Sequence, residues 1–274
     1  PMRNTDWFNY GGVYREVTLH ETPATVIRDL FVRLDGDKIR ASVVSDGPAA
    51  AAKLEIPELG INTEITLQDG RGAVAIEAQP ELWSPETPRL YDVTCSAGGD
   101  VIRDRIGFRT IERRGTEIFL NGEPIFLRGI SVHEDDRDTG KVSSDEDIRR
   151  RFAHAKELGC NFLRLAHYPH HERAAEIADA LGLLLWEEIP VYWAIDFENP
   201  ATLRDANNQL TELIRRDHNR ASVVIWSIGN ENPDTEARLS FMRTLADTAR
   251  AEDPTRLIAA ACLVNHNKLK IEDR

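Results

Sequence analysis

One nearly uninterrupted apolar run constrains the fold of this chain more than any other feature. Residues 223–228 read Val-Val-Ile-Trp-Ser-Ile, and the run ends in Gly229, Asn230 and Glu231. An apolar run without polar alternation is typical of a strand buried on both faces, as in a parallel sheet. Barrel enzymes carry their chemistry at the carboxyl ends of such strands, so Glu231 is the first candidate for a catalytic residue.

Strand and helix patterns alternate along the second half of the chain. The predicted strands are 124–130, 161–166, 183–186, 223–228 and 257–261, and the predicted helices between them are about 143–159, 173–181, 201–216 and 235–251. Strands that alternate with helices of this length indicate parallel β/α units. Their spacing alone fits either an open sheet or part of an eight-stranded barrel.

The first of these helices has a defined start and end in the sequence. Ser143 followed by Glu146 fits a capping box, in which the two side chains satisfy backbone N–H groups at the helix start. Ile148 and Phe152 recur on one helical face, and Gly159 marks the end.

Polar side chains follow four successive predicted strands where each strand ends. They are Ser131 and His133, then His167, then Glu187 and Glu188, then Asn230 and Glu231. In a barrel these ends meet at one face, whereas in a flat sheet the outer ones are too far apart to share a substrate. We therefore predict an α/β domain that is a partial (β/α) TIM-barrel of about five of eight strands, over residues 113–274.

The preceding residues, 13–112, alternate between apolar and polar positions as half-buried strands do. The clearest segments are 13–19, 38–44, 64–67 and 90–94, with turn signals such as Asp35-Gly36-Asp37 and Gly98-Gly99-Asp100 between strands. About seven short strands at this spacing predict an all-β immunoglobulin-like sandwich.

Charge and cysteine usage limit the partners and the compartment. Lys and Arg number 34 against 46 Asp and Glu, giving a net charge of -12, which argues against nucleic acid and anionic membranes as partners. Three well-separated cysteines suggest buried thiols in a reducing compartment, so we expect a cytoplasmic protein of bacterial type. Secretion stays open, because the start Pro1-Met2-Arg3-Asn4 looks truncated and a leader could have been lost.

Two long segments resemble the signatures of glycoside hydrolase family 2, the β-galactosidase and β-glucuronidase group. Residues 161–169 with 179–186 are similar to one signature, and residues 219–231 are similar to the other, which contains the acid/base glutamate. Shorter similarities occur at 127–134 to the first barrel strand, at 82–91 to the immunoglobulin-like domain, and at 8–15 to the end of a sugar-binding jelly roll. We accordingly expect residues 1–12 to be a remnant of that jelly roll.

The resemblance implies retaining hydrolysis of β-glycosides, either β-galactosides or β-glucuronides, with Glu231 as the acid/base. It implies that Asn230 holds the sugar hydroxyl beside the reacting carbon. The remaining implied substrate-binding residues are His133, His167, Arg164 and Glu188, of which Arg164 lies beside the place of the nucleophile and Glu188 lines the site floor. Trp193 is the aromatic residue that we expect to be exposed for stacking on sugar.

No cofactor and no metal are expected. The cluster of His167, His170, His171 and Glu172 looks like a metal site at first sight, but no cysteine pair assists it. Glu187 and Glu188 are adjacent on a strand, so they point to opposite faces and we expect only Glu188 in the site.

The family's nucleophile, a second glutamate on the seventh barrel strand, has no match in this sequence. The carboxylates after Glu231 are Asp234, Glu236, Asp247, Glu252, Asp253, Glu272 and Asp273, and none of them ends a predicted strand. We expect this fragment to be weak or inactive as a glycosidase. The first and last strands of an incomplete barrel expose parallel edges, so we also expect a homo-oligomer that covers them.

Two alternative functions remain open from the sequence. Gly129-Ile130-Ser131-Val132-His133 nearly matches a nucleophile elbow, which suggests an esterase-like acyl hydrolase that uses Ser131 and His133. The other alternative is a non-catalytic carbohydrate-binding remnant.

Overall fold

The computed structural model of the chain describes residue 8 and residues 10–263. Most of the expected jelly-roll remnant at residues 1–12 therefore lies outside the described residues, as do Glu272 and Asp273. No helix in the described part of the chain is long and apolar enough to cross a membrane.

Seven antiparallel strands form the first half of the molecule. They are β1 (Val26–Asp35), β2 (Lys38–Asp46), β3 (Ala51–Ile56), β4 (Ile61–Thr66), β5 (Arg71–Glu77), β6 (Tyr91–Ala97) and β7 (Asp100–Ile106). One sheet has the order β1-β2-β5 and the other the order β4-β3-β6-β7. The predicted immunoglobulin-like sandwich is confirmed.

Alternation along the strands builds the core of the sandwich. In β2, Ile39, Ala41 and Val43 are buried while the residues between them are only half-buried. Successive side chains of a strand point to opposite faces, so this pattern turns one apolar row toward the facing sheet.

The strand predicted at residues 13–19 is wrong. This segment is irregular, and Val13, Val17 and Leu19 are exposed, Leu19 completely. Alternation is a local signal, whereas a strand also needs a neighbour to accept and donate its backbone hydrogen bonds.

A three-stranded antiparallel sheet joins the two halves: β8 (Ile111–Arg114), β9 (Glu117–Leu120) and β10 (Glu123–Ile125). Its Ile111 and Leu120 pack in one apolar cluster with Leu184, Val224 and Ile225 of the second half. The single strand predicted at 124–130 is therefore corrected. Its beginning belongs to β10, and the parallel strand β11 starts only at Gly129.

Five parallel strands and four helices alternate in the second half. The strands are β11 (Gly129–Val132), β12 (Phe162–Leu165), β13 (Leu184–Glu188), β14 (Val223–Asn230) and β15 (Leu257–Ala261), and the helices are α1 (Asp145–Glu157), α2 (Glu172–Leu181), α3 (Pro200–Asp217) and α4 (Glu236–Glu252). The sheet order follows the chain, from β11 to β15. This arrangement confirms the predicted partial α/β barrel.

The start of α1 differs by one residue from the predicted capping box. Ser144 is the N-cap: its hydroxyl accepts the N–H of Asp147, and the Asp147 carboxylate accepts the N–H of Ser144. Ser143 is instead buried, and its hydroxyl accepts a hydrogen bond from Arg151. Two adjacent serines, each followed three residues later by an acid, give the same local signal, and tertiary packing of Ser143 selects between them.

Buried polar side chains fasten the sandwich to the barrel. The Arg109 guanidinium donates to the carbonyl oxygens of Ala221, Val223 and Thr255 at 3.1, 2.6 and 3.0 Å. Burial lowers the pKa of Arg109 to about 9. Asn219 bonds to the β1 backbone through both ends of its amide, so the residues that enter β14 are held by the sandwich.

The three cysteines are free thiols with different exposure. Cys95 is buried in the sandwich, where burial raises its pKa to about 11, and Cys160 is half-buried. Cys262 is exposed directly after β15, so the expectation of three buried thiols is wrong at this position.

Candidate active site

The carboxyl ends of three neighbouring strands bring four polar side chains together. Arg164 comes from β12, His167 follows it, and Glu188 and Asn230 end β13 and β14. The parallel register pairs Arg164 with Trp186 and Glu188 with Ser227, which sets these side chains at adjacent levels. We call Arg164, His167, Glu188 and Asn230 the inner-face cluster.

Glu188 is the centre of the inner-face cluster. Its side chain is 1% exposed, and Arg164 donates to both carboxylate oxygens, from Nη2 at 2.9 and 3.1 Å and from Nε at 3.2 Å. His167 Nδ1 lies 2.6 Å from Oε1, and the Trp186 indole N–H donates to Oε2 at 3.2 Å. A buried carboxylate is tolerated only with such compensation, so Glu188 is fixed in place.

Arg164 also orients Asn230. Its Nη2 donates to the amide oxygen of Asn230 at 2.5 Å. A guanidinium has only donors, so the oxygen of Asn230 must face Arg164 and its NH₂ group is left to donate in another direction. This arrangement suits an amide that has to hold a hydroxyl oxygen of a ligand.

His133 joins the cluster from the end of β11. Its ring lies edge-on to that of His167, with centroids 5.3 Å apart, and its Nδ1 is 3.2 Å from the Tyr168 hydroxyl. Burial and the neighbouring His167 lower the pKa of His133, which favours the neutral ring at physiological pH. His133 therefore offers a polar contact beside His167 while its neutral form is favoured.

Glu231 lies one residue beyond Asn230 and is exposed. The indole N–H of Trp193 donates to its Oε2 at 3.1 Å. Both residues have positive φ, 50° for Glu231 and 55° for Trp193, which is uncommon for residues other than glycine. Residues held in this region cluster at functional sites.

Glu187 points away from the inner-face cluster. It is buried near Asp217 and Arg216 at the end of α3. Burial and the Asp217 carboxylate raise the pKa of Glu187 well above its usual range. Arg216 donates to Asp217 from Nη2 at 2.5 Å and from Nε at 2.8 Å. We call Glu187, Asp217 and Arg216 the outer-face cluster.

Ser131 is exposed within β11, where it pairs in register with Arg164. A nucleophile elbow requires a sharp turn between a strand and a helix, whereas Ser131 lies in an extended strand. The segment that resembled an elbow in the sequence therefore does not form one.

The histidines that follow β12 separate in the structure. His170 is buried with its Nε2 2.9 Å from the Ala166 carbonyl oxygen, and burial lowers its pKa to about 4. His171 instead caps α2 by accepting the N–H of Arg173. Among the described residues, no group of three His, Cys, Asp or Glu side chains is arranged to hold a metal ion.

The aromatic residues near the ends of β13 and β14 lie in different surroundings. Trp226 is fully buried and donates to Asp253 at 3.0 Å, so it belongs to the core. Trp186 is half-buried beneath Glu188, and Tyr192 lies at a right angle to Trp193. Trp193 is partly exposed and remains the candidate for contact with a ligand.

Sequence reasoning missed Glu134. Its side chain is 2% exposed and forms an ion pair with Arg15, and its other oxygen accepts the N–H of His171 at 2.7 Å. The Tyr168 hydroxyl accepts the Glu134 N–H, so this residue ties together the loops that carry His133 and His167. No hydropathy pattern separates Glu134 from Asp135 and Asp136, which follow it directly.

The carboxylates that follow Glu231 in the described chain belong to α4 and its flanks. They are Asp234, Glu236, Asp247, Glu252 and Asp253. The strand after α4, β15, ends at Ala261 with small and apolar side chains. Within residues 8 and 10–263, a second strand-end carboxylate comparable to Glu231 therefore does not follow it.

Both halves of the chain match sequence models of one family. Residues 25–109 match Glycosyl hydrolases family 2, and residues 111–271 match Glycosyl hydrolases family 2, TIM barrel domain. The second match alone covers more than half of the chain.

Curated relatives have the same character. The chain is 32% identical to a putative β-glucuronidase from Formosa agariphila, over 94% of this chain and 35% of the relative. It is also 32% identical to a β-galactosidase from Arthrobacter sp. (strain B7), over 88% of this chain and 25% of the relative. The chain thus spans a quarter to about a third of the length of these two proteins.

Solved structures superpose on both halves. A family 2 β-galacturonidase from Eisenbergiella tayi, bound to galacturonate, matches with TM-score 0.85 and 28% identity, over 94% of this chain and half of that one. β-Glucuronidase 3 of Bacteroides uniformis matches with TM-score 0.80 and 30% identity, over 93% of this chain and 36% of that one. With two family models covering nearly its whole length, the chain belongs to glycosyl hydrolase family 2.

Proposed function

We propose that this chain carries the acid/base half of a retaining β-glycosidase site, with Glu231 as the acid/base. The observation that supports this most directly is the meeting of Asn230 and Glu231, at the end of β14, with Arg164, His167 and Glu188 from the two preceding strands. This is the face at which barrel enzymes hold their substrates. The relatives are named as β-glucuronidase, β-galactosidase and β-galacturonidase, so the substrate class is a β-galactoside or a β-glucuronide.

Each side chain in the site has a chemical task in this proposal. Glu231 donates a proton to the leaving oxygen of the glycoside and later takes one from water. Asn230, oriented by Arg164, donates to the hydroxyl beside the reacting carbon. His133, His167 and Glu188 contact the other hydroxyls, and Trp193 contributes its exposed ring.

The complete reaction needs one more group. Retaining glycosidases use two carboxyl groups about 5–5.5 Å apart, of which the second is the nucleophile. The described carboxylates that follow Glu231 are on α4 and its flanks, and none of them is the last residue of a strand or directly follows one. We therefore expect the isolated chain to have weak glycosidase activity or none.

Self-association is part of the same proposal. β11 and β15 are the edges of the parallel sheet, and Gly129, Ile130 and Ser131 of β11 are exposed. Unpaired strand edges present rows of N–H and C=O groups to other chains, so we propose that a second copy covers them. Light scattering tests this: a mass in solution equal to one 30.9 kDa chain contradicts it.

The test of the catalytic proposal is turnover of a panel of nitrophenyl β-galactosides, β-glucuronides and β-galacturonides. Any glycosidase activity is expected to fall by roughly 10²–10⁴-fold in Glu231→Gln, because the amide cannot transfer a proton. Glu157→Gln, which changes an exposed glutamate at the end of α1, is the matched control and keeps the wild-type rate. Turnover that survives Glu231→Gln contradicts the assigned role.

The same panel separates the alternatives when nitrophenyl esters are added. Ester turnover lost in Ser131→Ala and retained in Glu231→Gln supports the acyl hydrolase. Sugar binding without turnover, unchanged in Glu231→Gln, supports the carbohydrate-binding remnant.

A further inference from the structure

Trp193 and Glu231 face each other across the continuation of β13 and β14, and both have left-handed backbone conformations. Their φ angles are 55° and 50°, and the indole N–H of Trp193 lies 3.1 Å from Oε2 of Glu231. An αL conformation costs a residue with a side chain roughly 1–2 kcal/mol, so surrounding contacts must impose it.

Backbone hydrogen bonds impose the conformation from both sides. Asn230 N–H donates to the Val191 carbonyl at 2.8 Å, and Trp193 N–H donates to the Asn230 carbonyl at 2.9 Å. Glu231 N–H donates to the Ala261 carbonyl at 2.7 Å.

A buried side chain adds to this ladder. The amide of Asn232, whose residue is only 6% exposed, donates to the Trp193 carbonyl at 2.9 Å and to the Val191 carbonyl at 3.3 Å. The indole is therefore carried to Glu231 by a rigid frame and not by a mobile loop.

The chemistry of the indole determines what this contact does. The Trp N–H is a donor only, so the oxygen that it faces has to act as an acceptor. In a protonated carboxyl group the carbonyl oxygen is the better acceptor, and the other oxygen carries the proton.

From this geometry we propose that Trp193 is a positioning residue for Glu231, holding Oε2 as the acceptor so that the acid proton is carried by Oε1. The inference rests on the proposed role of Glu231 as the acid/base. It gives Trp193 a task separate from stacking on sugar.

The contact also favours proton release. When Oε1 gives its proton to the leaving oxygen, that oxygen takes the electron pair of the breaking C–O bond and the aglycone leaves as an alcohol. The sugar carbon forms its new bond to the second carboxylate that a retaining site requires. The Glu231 carboxylate that remains keeps the indole hydrogen bond, which becomes charge-assisted and about twice as strong. The stabilisation is therefore greatest as negative charge develops, which is where a preorganised donor is most effective.

The experiment follows the indole N–H resonances of the full chain labelled with ¹⁵N-tryptophan at neutral pH. Glu231→Gln is a neutral mimic of the protonated acid. Its side-chain carbonyl oxygen takes the place of Oε2, and its NH₂ group takes the place of the protonated Oε1. Glu231→Met removes the acceptor. We expect the Trp193 proton further downfield in the wild type and in Glu231→Gln, which both present an acceptor oxygen, than in Glu231→Met.

Three of the other four tryptophans are internal controls for folding. Trp83, Trp186 and Trp226 donate to Asp179, Glu188 and Asp253, so their resonances should not change in either variant. If Glu231→Met disturbs them, the side-chain NH₂ that Glu231→Gln introduces is recorded in uniformly ¹⁵N-labelled protein, with and without Trp193→Phe. The proposal is supported if the two amide-proton resonances of this NH₂ group lie away from the positions of a free amide and move toward those positions in Trp193→Phe.

Two results overturn the inference. One is a Trp193 resonance at the same position in Glu231→Gln and Glu231→Met, and the other is no movement in either variant. Neither readout needs substrate. If the resonances shift as expected but turnover is absent or does not depend on Glu231, only the proposed function is contradicted. If turnover depends on Glu231 but the resonances do not shift, only the role of Trp193 is contradicted.

Discussion

The two faces of β13 carry adjacent glutamates in opposite electrostatic settings. In the inner-face cluster, the single carboxylate of Glu188 is bound by Arg164 and His167. In the outer-face cluster, Glu187 and Asp217 are two buried carboxyl groups with Arg216 as the bonded cation. Adjacent residues of one strand thus differ: Glu188 is neutralised by cationic and hydrogen-bonding partners, whereas Glu187 lies beside a second carboxyl group, that of Asp217.

This difference shows that neighbouring groups, and not residue type, set the behaviour of each glutamate. Glu188 is held by donors on both oxygens and can be part of a polar binding surface. Burial and the charge of Asp217 raise the pKa of Glu187, and this side chain packs behind the sheet. A pattern of two glutamates at a strand end therefore indicates one site residue and not two.

Arg216→Met should produce the largest loss of stability. The change leaves the buried Asp217 carboxylate without its guanidinium, and breaking a buried pair in this way costs about 3–5 kcal/mol. The neighbouring Arg215→Met is the matched control, because its pair with Glu252 is half exposed and such pairs contribute about 0–1 kcal/mol. Urea unfolding of both variants measures the loss in free energy of unfolding. Equal losses would mean that the Arg216–Asp217 pair contributes no more than the exposed Arg215–Glu252 pair.

Arg164→Met should cost less, about 2–3 kcal/mol, which is the usual range for hydrogen bonds to a charged group. Glu188 stays buried, but its carboxylate keeps the contact with His167 Nδ1 at 2.6 Å and the indole hydrogen bond from Trp186. The same urea measurement applies. A larger loss in free energy of unfolding than in Arg216→Met would mean that Glu188 depends on its arginine more than Asp217 does.

The elements of the second half could be predicted closely from the sequence because each pattern there is local. The strand at 257–261 has the predicted bounds, and helix α4 begins and ends within one residue of its prediction. The failures have tertiary causes. Residues 13–19 lack a partner strand, and the packing of Ser143 moves the helix cap to Ser144.

Two rules predict part of the site from the sequence: polar residues at strand ends lie at one face, and adjacent residues of a strand point to opposite faces. These rules name Glu188 and Asn230, and the family resemblance adds Arg164; the structure brings the three side chains into contact. The rules do not predict the hydrogen bond from the Trp186 indole to Glu188. They also do not predict the contacts of Glu134, which links three segments distant in sequence. Such contacts depend on how loops pack, and no periodicity in the sequence encodes that.

Glu187→Gln should make stability less dependent on pH. The unfolded carboxyl ionises above its ordinary pKa of 4.5, while the folded one stays protonated because burial and Asp217 raise its pKa. The folded state then binds more protons than the unfolded state, so wild-type stability falls as pH rises from about 4.5 toward the raised value. The glutamine stays neutral and does not share this loss.

The variant should therefore gain stability relative to the wild type between pH 4.5 and neutral pH, as measured by urea unfolding at several pH values. Glu157→Gln, at an exposed position, serves as the control and should show a constant difference. A pH-independent difference for Glu187→Gln would mean that Glu187 is ionised in the folded protein, and the contrast between the faces would disappear.

Trp186→Phe should have the smallest effect, about 1 kcal/mol, the typical net contribution of one hydrogen bond. It removes the indole donor to Glu188 Oε2, yet Arg164 still donates to both oxygens of that carboxylate. Trp226→Phe is the matched comparison, because this indole is fully buried and donates to the buried Asp253. We expect unfolding free energies to fall more in Trp226→Phe than in Trp186→Phe. The reverse order would show that the inner-face cluster depends on its uncharged donor as much as on its guanidinium.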